Sequence, residues 1–251
     1  MAAITVQGQT YEIEGILFDK DGTLLEFSSL WVSWAKQLLD DVGEKANLSM
    51  IDRETLANEL GFNVQSNNWD PKGPLCIGSL DQVITIVSIN LYRKGFSWDE
   101  SIQMATESWE KIEAREDWKS SIRPVDGLYQ FLRCATASSL KLGVVTSDNY
   151  DQAIKHLRAL KIESYFSAII GHDQVARGKP YPDMVEVACK KMNMSPERTL
   201  MIGDSNGDMI LGRRSKAKAN IGIVAENKQS ADHLIDANHI IKSYHHIHIS
   251  K

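Results

Sequence analysis

The chain has few cysteines and no long apolar run, and each shortage excludes a class of protein. Its 251 residues include 3 cysteines, Cys76, Cys134 and Cys189, which form no Cys-x-x-Cys pair. Neither a disulfide framework nor a zinc knuckle is therefore expected, and a reducing compartment suits the chain. The longest mostly apolar run, 83–92, falls well short of the roughly 20 residues that a membrane span needs. We therefore expect a cytoplasmic protein with no membrane partner.

The chain also lacks an excess of basic residues. Lys and Arg total 28 against 33 for Asp and Glu, which gives a formal net charge of −5. Such a protein has no general attraction for a polyanion, so no nucleic acid is expected as a partner. The first residues, MAAITVQGQTYEIEG, have neither a basic leader nor an apolar segment, so we expect a protein that is not exported.

What the chain does contain is a series of short apolar runs followed by helical patterns, which is typical of a parallel α/β sheet. Five runs predict strands, and they lie almost entirely at the two ends of the chain: 15–18, 141–145, 168–170, 199–202 and 219–224. Near the start, residues 4–6 and 11–13 flank Gln7-Gly8-Gln9 and predict a small added hairpin.

Between about residues 26 and 121 the strand signals disappear and apolar residues recur at helical spacing, which predicts an all-helical insertion. Within it, Ser97-Trp98-Asp99-Glu100 has the pattern of a capping box and precedes an apolar stripe typical of a long helix. We therefore divide the chain into a core of residues 1–25 and 122–251 and an inserted helical domain of residues 26–121.

Two aspartates follow the first predicted core strand, in the segment Phe18-Asp19-Lys20-Asp21-Gly22-Thr23-Leu24. In an open parallel sheet, ligands bind beyond the carboxyl ends of the strands, so Asp19 and Asp21 lie where a site is expected. One carboxylate can attack phosphorus, while the other protonates the departing oxygen and then activates water. A turn or a helix N-cap is the alternative interpretation, because Asp-Gly is a common turn pair.

Further polar residues follow other predicted strands. Asp204 and Asp208 come after the fourth strand, and oxygen ligands gathered from two strand ends are what Mg²⁺ accepts. Thr146 and Ser147 follow the second strand and offer hydroxyls, while Lys179 offers a fixed positive charge for phosphoryl oxygens. The pattern therefore predicts a site for Mg²⁺ and a phosphoryl group at one edge of the sheet.

These residues and their order resemble the haloacid dehalogenase superfamily of phosphotransferases, in the branch that carries a helical cap between the first and second motifs. The four motifs are matched, in order, by Asp19-Lys20-Asp21-Gly22-Thr23, by Thr146, by Lys179, and by Asp204 with Asp208. The resemblance covers nearly the whole chain. Within the superfamily, the chain is similar to the phosphoglycolate phosphatase-like members. It implies an α/β fold: a Rossmann-like, doubly wound parallel sheet with an inserted all-helical cap.

The resemblance also implies a role for each residue. Asp19 is the expected nucleophile, which forms an aspartyl-phosphate, and Asp21 is the expected general acid and base. The phosphoryl group is expected to bind Thr146, Ser147 and Lys179. The expected Mg²⁺ ligands are Asp19, Asp21 through its backbone carbonyl, Asp204 and Asp208.

Asp21 discriminates within the superfamily, because its dehalogenase and phosphonatase branches lack the second aspartate. The resemblance therefore favours a phosphatase that acts on a small phosphorylated metabolite, with a phosphosugar mutase as the alternative. The sequence departs from the family pattern at Lys20, where an apolar residue is more common, and at Asp148, which brings a negative charge close to Thr146. The particular metabolite and the oligomeric state stay open.

Two other patterns suggest different chemistry. Gly203-Asp204-Ser205-Asn206-Gly207 matches the Gly-x-Ser-x-Gly elbow of serine hydrolases, in which Asp232 or Asp236 and His239 would have to complete a triad. That hypothesis leaves the aspartates of the first motif without a role. The tail, 244–249, is rich in histidine, but no cysteine or carboxylate lies near it in sequence, so an edge strand is favoured over a metal site.

Overall fold

A computed structural model of the protein describes residues 2–226 and 230–250. Contacts divide the chain into two compact units, Met1–Phe27 with Ile122–Lys251 and Ser28–Ser121, which we call the core unit and the inserted unit. The first boundary therefore follows Phe27, whereas the sequence pattern suggested a boundary at residue 26.

Most of the strands belong to the core unit. In chain order the strands are β1 (Ala2–Val6), β2 (Gln9–Ile13), β3 (Gly15–Phe18), β4 (Phe62–Asn63), β5 (Asn68–Trp69), β6 (Lys141–Val145), β7 (Ala168–Ile170), β8 (Thr199–Gly203), β9 (Ala219–Ile223), β10 (His239–Ile241) and β11 (Ile247–Ser250). Six of them form one sheet in the order β10-β9-β8-β3-β6-β7, and its paired strands are parallel. The predicted α/β class and the doubly wound parallel sheet are thus confirmed.

The strand order reverses at β3, which makes the carboxyl end of that strand the expected ligand crevice. Phe18, the last residue of β3, lies opposite Val144 of β6 and Ile202 of β8. Every residue of β3 is buried, as expected for a central strand with helices on both faces. The residues that follow these three strands therefore meet at one edge of the sheet.

All five predicted strands are present, and the structure adds β10 beside β9. β10 has only three residues, His239–Ile241, so it is too short to form the apolar run that predicts a buried strand. The helices of the core unit are α7 (Leu128–Ala137), α8 (Tyr150–Ala159), α9 (Asp183–Met192) and α10 (Asn206–Arg214). Their numbers follow those of the six helices of the inserted unit, which precede them in the chain. Met184 and Val185 of α9 pack with Leu17, Met201 and Leu211 in a fully buried cluster.

A second, antiparallel sheet has the order β11-β1-β2 and confirms the predicted hairpin. The histidine-rich tail supplies β11, an edge strand in which His248 lies opposite Thr5. Among the described residues, the groups able to offer three ligands to one metal contain no histidine of this tail.

The inserted unit consists mostly of helices. They are α1 (Ser33–Lys45), α2 (Met50–Glu59), α3 (Pro74–Ile77), α4 (Leu80–Arg93), α5 (Trp98–Glu113) and α6 (Trp118–Ser121), preceded by a π-helical turn at Ser28–Val32. The capping box predicted at Ser97 is confirmed, because Ser97 Oγ accepts from the Glu100 N–H and the Glu100 carboxylate accepts from the Ser97 N–H.

The insertion differs from an all-helical one by the short antiparallel pair β4 and β5. Each strand has two residues, which is too short to show the alternation by which strands are recognised in a sequence. The turn between them is held by Asn63, whose side chain accepts from the Ser66 N–H at 2.9 Å. No described helix of the chain combines the length and the apolar character required to cross a bilayer.

Candidate active site

The segment after β3 forms a tight turn that carries the first motif. The Asp19 N–H donates to the Ile202 carbonyl at 2.8 Å, which ties the start of the segment to β8. The chain then folds back, because the Leu24 N–H donates to the Lys20 carbonyl at 2.8 Å. The two interpretations of the Asp-Gly pair are therefore compatible: the segment is a turn, and the turn holds both carboxylates at the carboxyl end of β3.

Two glycines allow the acidic residues to approach one another. Gly22 has φ of +70°, and a Cβ placed there would overlap Oδ2 of Asp204. A Cβ at Gly203 would likewise overlap the side chain of Asp208. Only glycine fits the left-handed conformation of residue 22 without strain and also leaves room for the neighbouring carboxylate.

Three aspartates, two of them buried and the third, Asp204, half-buried, form a cluster that we call the acidic trio: Asp19, Asp204 and Asp208. Each offers one carboxylate oxygen, and these oxygens all lie within 4.8 Å of one another. Asp19 is 6% exposed and Asp208 is 0% exposed. The Lys179 ammonium contacts Asp19 Oδ1 and lies 2.6 Å from Asp208 Oδ1, so the trio holds one internal cation.

Burial and mutual repulsion make the trio electrostatically unfavourable on its own. Burial raises the pKa of Asp19 to about 7; Lys179 opposes this shift, and the charges of Asp208 and Asp21 add to it. Burial likewise raises the pKa of Asp204 well above its usual range, and the charges of Asp19 and Asp208 add to that effect. A single lysine thus leaves excess negative charge among buried carboxylate oxygens. That donor set fits a hard divalent cation such as Mg²⁺.

The residues expected to bind phosphate lie on neighbouring elements. Thr146 directly follows β6, is 1% exposed, and donates its backbone N–H to the Ile170 carbonyl at 3.0 Å. Ser147 comes next and is half-buried. Lys179 lies in the loop before α9, and its side chain enters the acidic trio. The structure therefore brings Lys179 together with three of the four expected aspartates and leaves the hydroxyls at the end of the adjacent strand.

Asp21 belongs to a different network from the acidic trio. Its Oδ1 lies 2.6 Å from the Nζ of Lys20, a lysine that is fully buried. The same ammonium lies 3.0 Å from Asp148 Oδ2 and 3.0 Å from His156 Nδ1. Lys20 and Asp148 are the two departures from the family pattern, and the structure makes them partners. His156 was not expected in the site, and a lone histidine in an amphipathic helix carries no sequence signal for it.

Tyr244, from the histidine-rich tail, is another residue near the site that the sequence pattern does not indicate. Its hydroxyl donates to the Thr23 carbonyl at 3.0 Å and so holds the end of the first-motif turn. The ring is buried and stacks on Phe131 with centroids 4.9 Å apart. Burial and the charges of Asp19 and Asp204 raise its pKa well above the usual range, so the hydroxyl remains a donor.

Ser205, the serine of the hydrolase elbow, serves as the N-cap of α10. Its hydroxyl donates to Asp208 Oδ2 at 2.7 Å and accepts from the Asp208 N–H at 3.3 Å. His239 instead bonds the Tyr11 hydroxyl at 2.7 Å. Asp236 accepts from the Asn206 side chain at 3.0 Å. The serine and the histidine thus bond to other residues and not to each other, so they do not form the triad that a serine hydrolase needs.

Comparisons with known proteins show which family this chain resembles. Residues 16–225 match the family described as haloacid dehalogenase-like hydrolase. Pyrophosphatase PpaX of Oceanobacillus iheyensis is 27% identical over 233 residues, which cover 93% of this chain and 90% of that protein. Pyrophosphatase PpaX of Listeria monocytogenes is 33% identical over 91 residues, but the match spans only 42% of that protein's length and 36% of this chain.

Solved structures share the fold at low identity. A predicted phosphoglycolate phosphatase from Haemophilus somnus superposes with a TM-score of 0.70 at 16% identity, covering 92% of this chain and 94% of that one. A β-phosphoglucomutase from Clostridium difficile superposes with a TM-score of 0.61 at 20% identity, covering 92% and 91%. On the strength of the family match, which extends over most of its length, the chain belongs to the haloacid dehalogenase-like hydrolases.

Proposed function

We propose that the protein is a Mg²⁺-dependent phosphatase that hydrolyses a small phosphorylated metabolite through an aspartyl-phosphate on Asp19. The observation that carries the proposal is the acidic trio at the carboxyl end of β3, with Lys179 in contact with Asp19. The pyrophosphatase names of the relatives support a phosphoric ester or anhydride as the substrate class.

In the first step a carboxylate oxygen of Asp19 attacks phosphorus, and the bond from phosphorus to the leaving oxygen breaks. Asp21 gives its proton to that oxygen, which leaves as a neutral alcohol. Lys179 opposes the burial that raises the pKa of Asp19, so it favours the nucleophilic carboxylate form. The hydroxyls of Thr146 and Ser147 bind the oxygens of the phosphoryl group.

In the second step Asp21, now a carboxylate, takes a proton from water while the water oxygen attacks phosphorus. The bond between phosphorus and Asp19 breaks, which releases inorganic phosphate and regenerates the carboxylate. The two roles require different surroundings for the two aspartates. Asp19 lies among carboxylates, whereas Asp21 lies against the Lys20 ammonium.

Bound Mg²⁺ supplies positive charge that offsets the repulsion between a carboxylate nucleophile and a phosphate dianion. The residues that would hold it are Asp19, Asp21 through its backbone carbonyl, Asp204 and Asp208. The raised pKa of Asp19 and of Asp204 supports a cation at this position, because a buried carboxylate cluster with one lysine is otherwise under-neutralised.

The test is phosphate release from 4-nitrophenyl phosphate, with and without Mg²⁺, by the wild type and the Asp19→Asn variant. We expect wild-type activity that EDTA abolishes, a phosphorylated Asp19 in acid-quenched samples, and neither result for Asp19→Asn. Asp126→Asn, which makes the same change at an exposed carboxylate, is the matched control. Substantial turnover by Asp19→Asn with unchanged circular dichroism would refute the mechanism.

The same assay on a panel of metabolites identifies the substrate class. The panel should include pyrophosphate, phosphoglycolate, sugar phosphates and nucleotides, each measured as released phosphate. A hexose 1-phosphate should also be analysed for isomerised product. Isomerised product without free phosphate would identify a mutase, and free phosphate would support the phosphatase.

A further inference from the structure

The lysine between the two motif aspartates is buried at a cost. Lys20 is 0% exposed, and an ammonium taken out of water loses several kcal/mol of solvation unless charged partners replace that solvation. An apolar side chain of similar length would fill the same space at a lower cost. The burial of a charged side chain at this position therefore indicates a role other than packing.

Lys20 has charged or polar partners on two sides. Asp21, its neighbour in sequence, lies 2.6 Å from the ammonium, and Asp148 and His156 approach it from the segment after β6 and from α8. Asp148 and His156 are themselves 3.6 Å apart. Burial opposes the charge on Lys20, but Asp148 and Asp21 raise the pKa of Lys20 above its usual value. In turn, Lys20 holds the pKa of Asp148 well below the usual value of an aspartate, although burial acts in the opposite direction.

The side chains of Asp21, Asp148 and His156 lie close enough together to hold a metal ion. The Lys20 ammonium, however, lies within 3.0 Å of an atom of each of them, so it already occupies the centre of the group. The positive charge beside Asp21 is therefore a lysine fixed to the chain, distinct from the acidic trio.

Asp148 also links this group to the phosphate-binding side of the site. Its backbone N–H donates to the Thr146 hydroxyl at 3.2 Å, while its side chain holds the Lys20 ammonium. One residue thus connects a residue expected to bind the phosphoryl group with the group that holds Asp21. A shift of Asp148 would move both.

We propose that Lys20, anchored by Asp148 and His156, is a positioning residue that holds the Asp21 carboxylate for proton transfer. The inference rests on the proposed acid and base role of Asp21. The ammonium donates to Oδ1 of Asp21 in either protonation state and so restricts rotation of the carboxyl group. The other oxygen, Oδ2, then gives its proton to the leaving oxygen in the first step and accepts one from water in the second. Lys20 itself exchanges no proton with the substrate.

The experiment compares two aryl phosphates that differ by one nitro group and therefore in their need for an acid. The 4-nitrophenolate group leaves readily without a proton, whereas phenol is a poorer leaving group that gains from protonation. Rapid-quench measurements give the rates of phosphoenzyme formation from 4-nitrophenyl phosphate and from phenyl phosphate, and the rate of phosphoenzyme hydrolysis. The variants are Lys20→Met, Asp21→Asn and the double variant Lys20→Met/Asp148→Asn, which also removes the Asp148 carboxylate that Lys20→Met deprives of its ammonium.

We expect Lys20→Met to slow phosphoenzyme formation from phenyl phosphate by about 10–100-fold, part of the 10²–10⁴ that general acid catalysis supplies. Formation from 4-nitrophenyl phosphate should change by less than about threefold, and hydrolysis should slow equally after either substrate. Asp21→Asn should show the same pattern with larger losses. The double variant should keep the pattern even if Lys20→Met alone folds poorly, because it leaves one carboxylate, that of Asp21, without the ammonium instead of two.

Equal losses on the two substrates, or no loss on either, in whichever of the two Lys20 variants is folded would overturn the inference, because a purely structural role does not depend on the leaving group. The proposed function is judged separately by the wild type and Asp21→Asn. If the wild type forms a phosphoenzyme and Asp21→Asn shows the leaving-group pattern while the Lys20 variants do not, only the role of Lys20 fails.

Discussion

Binding of Mg²⁺ should weaken steeply below neutral pH, because the cation must displace a proton from the acidic trio. Burial raises the pKa of Asp19 to about 7, so in the metal-free protein this residue carries a proton over most of the acidic range. For one displaced proton of that pKa, the apparent Kd should rise about tenfold from pH 8 to pH 6 and about 90-fold from pH 8 to pH 5. Asp204, whose pKa is also raised, can only steepen this dependence.

Isothermal titration calorimetry of the metal-free protein between pH 5 and pH 8 measures the effect directly. Titrations at pH 6 in two buffers of different ionisation enthalpy should show release of about one proton for each Mg²⁺ bound. Near-UV circular dichroism at each pH checks that the protein stays folded, and Asp126→Asn again serves as the control. An apparent Kd that changes less than twofold over this range would refute Asp19 as a buried, protonated ligand.

Three substitutions test the surroundings of the site. Gly22→Ala should weaken Mg²⁺ binding at least tenfold in calorimetry because its Cβ overlaps Asp204, whereas Gly8→Ala, which has φ of +83° but open space, should bind normally. Ser205→Ala should lower stability in urea by about 1 kcal/mol through loss of the N-cap, yet retain phosphate release. Labelling of Ser205 by a fluorophosphonate probe, together with activity that EDTA leaves unchanged, would revive the serine hydrolase. Tyr244→Phe should destabilise by about 1–3 kcal/mol in the same assay, because it leaves a buried carbonyl without its donor, and an unchanged midpoint would contradict that role.

The sheet could be predicted from the sequence because its strands are buried on both faces. Such strands are continuous apolar runs, and β3 has no exposed residue. β10 was not predicted because it is recognised by its backbone pairing with β9, and its three residues are too few to form an apolar run. The pair β4 and β5 escaped for a related reason, since strands of two residues have no period.

The acidic trio could be predicted because polar residues at the ends of neighbouring parallel strands must meet. Asp19 follows β3 and Asp204 follows β8, and these strands are paired. The contact of Lys20 with His156 could not be predicted, because 136 positions separate them and α8 had no feature to single out one histidine. The departures at Lys20 and Asp148 were visible as opposite charges, but their pairing depends on which way each side chain turns.

The turn after β3 sends the side chains of Asp19 and Asp21 into two networks, and in the proposed mechanism this separation allows two chemically identical residues to differ in role. Asp19 joins two other carboxylates, where burial and repulsion favour a cation. Asp21 faces an ammonium that is fixed to the chain and already neutralised by Asp148. A carboxylate that is already paired with an ammonium binds the metal cation less readily through its side chain. In the proposed mechanism it is therefore available for proton transfer, whereas Asp19 would bind the metal and attack phosphorus.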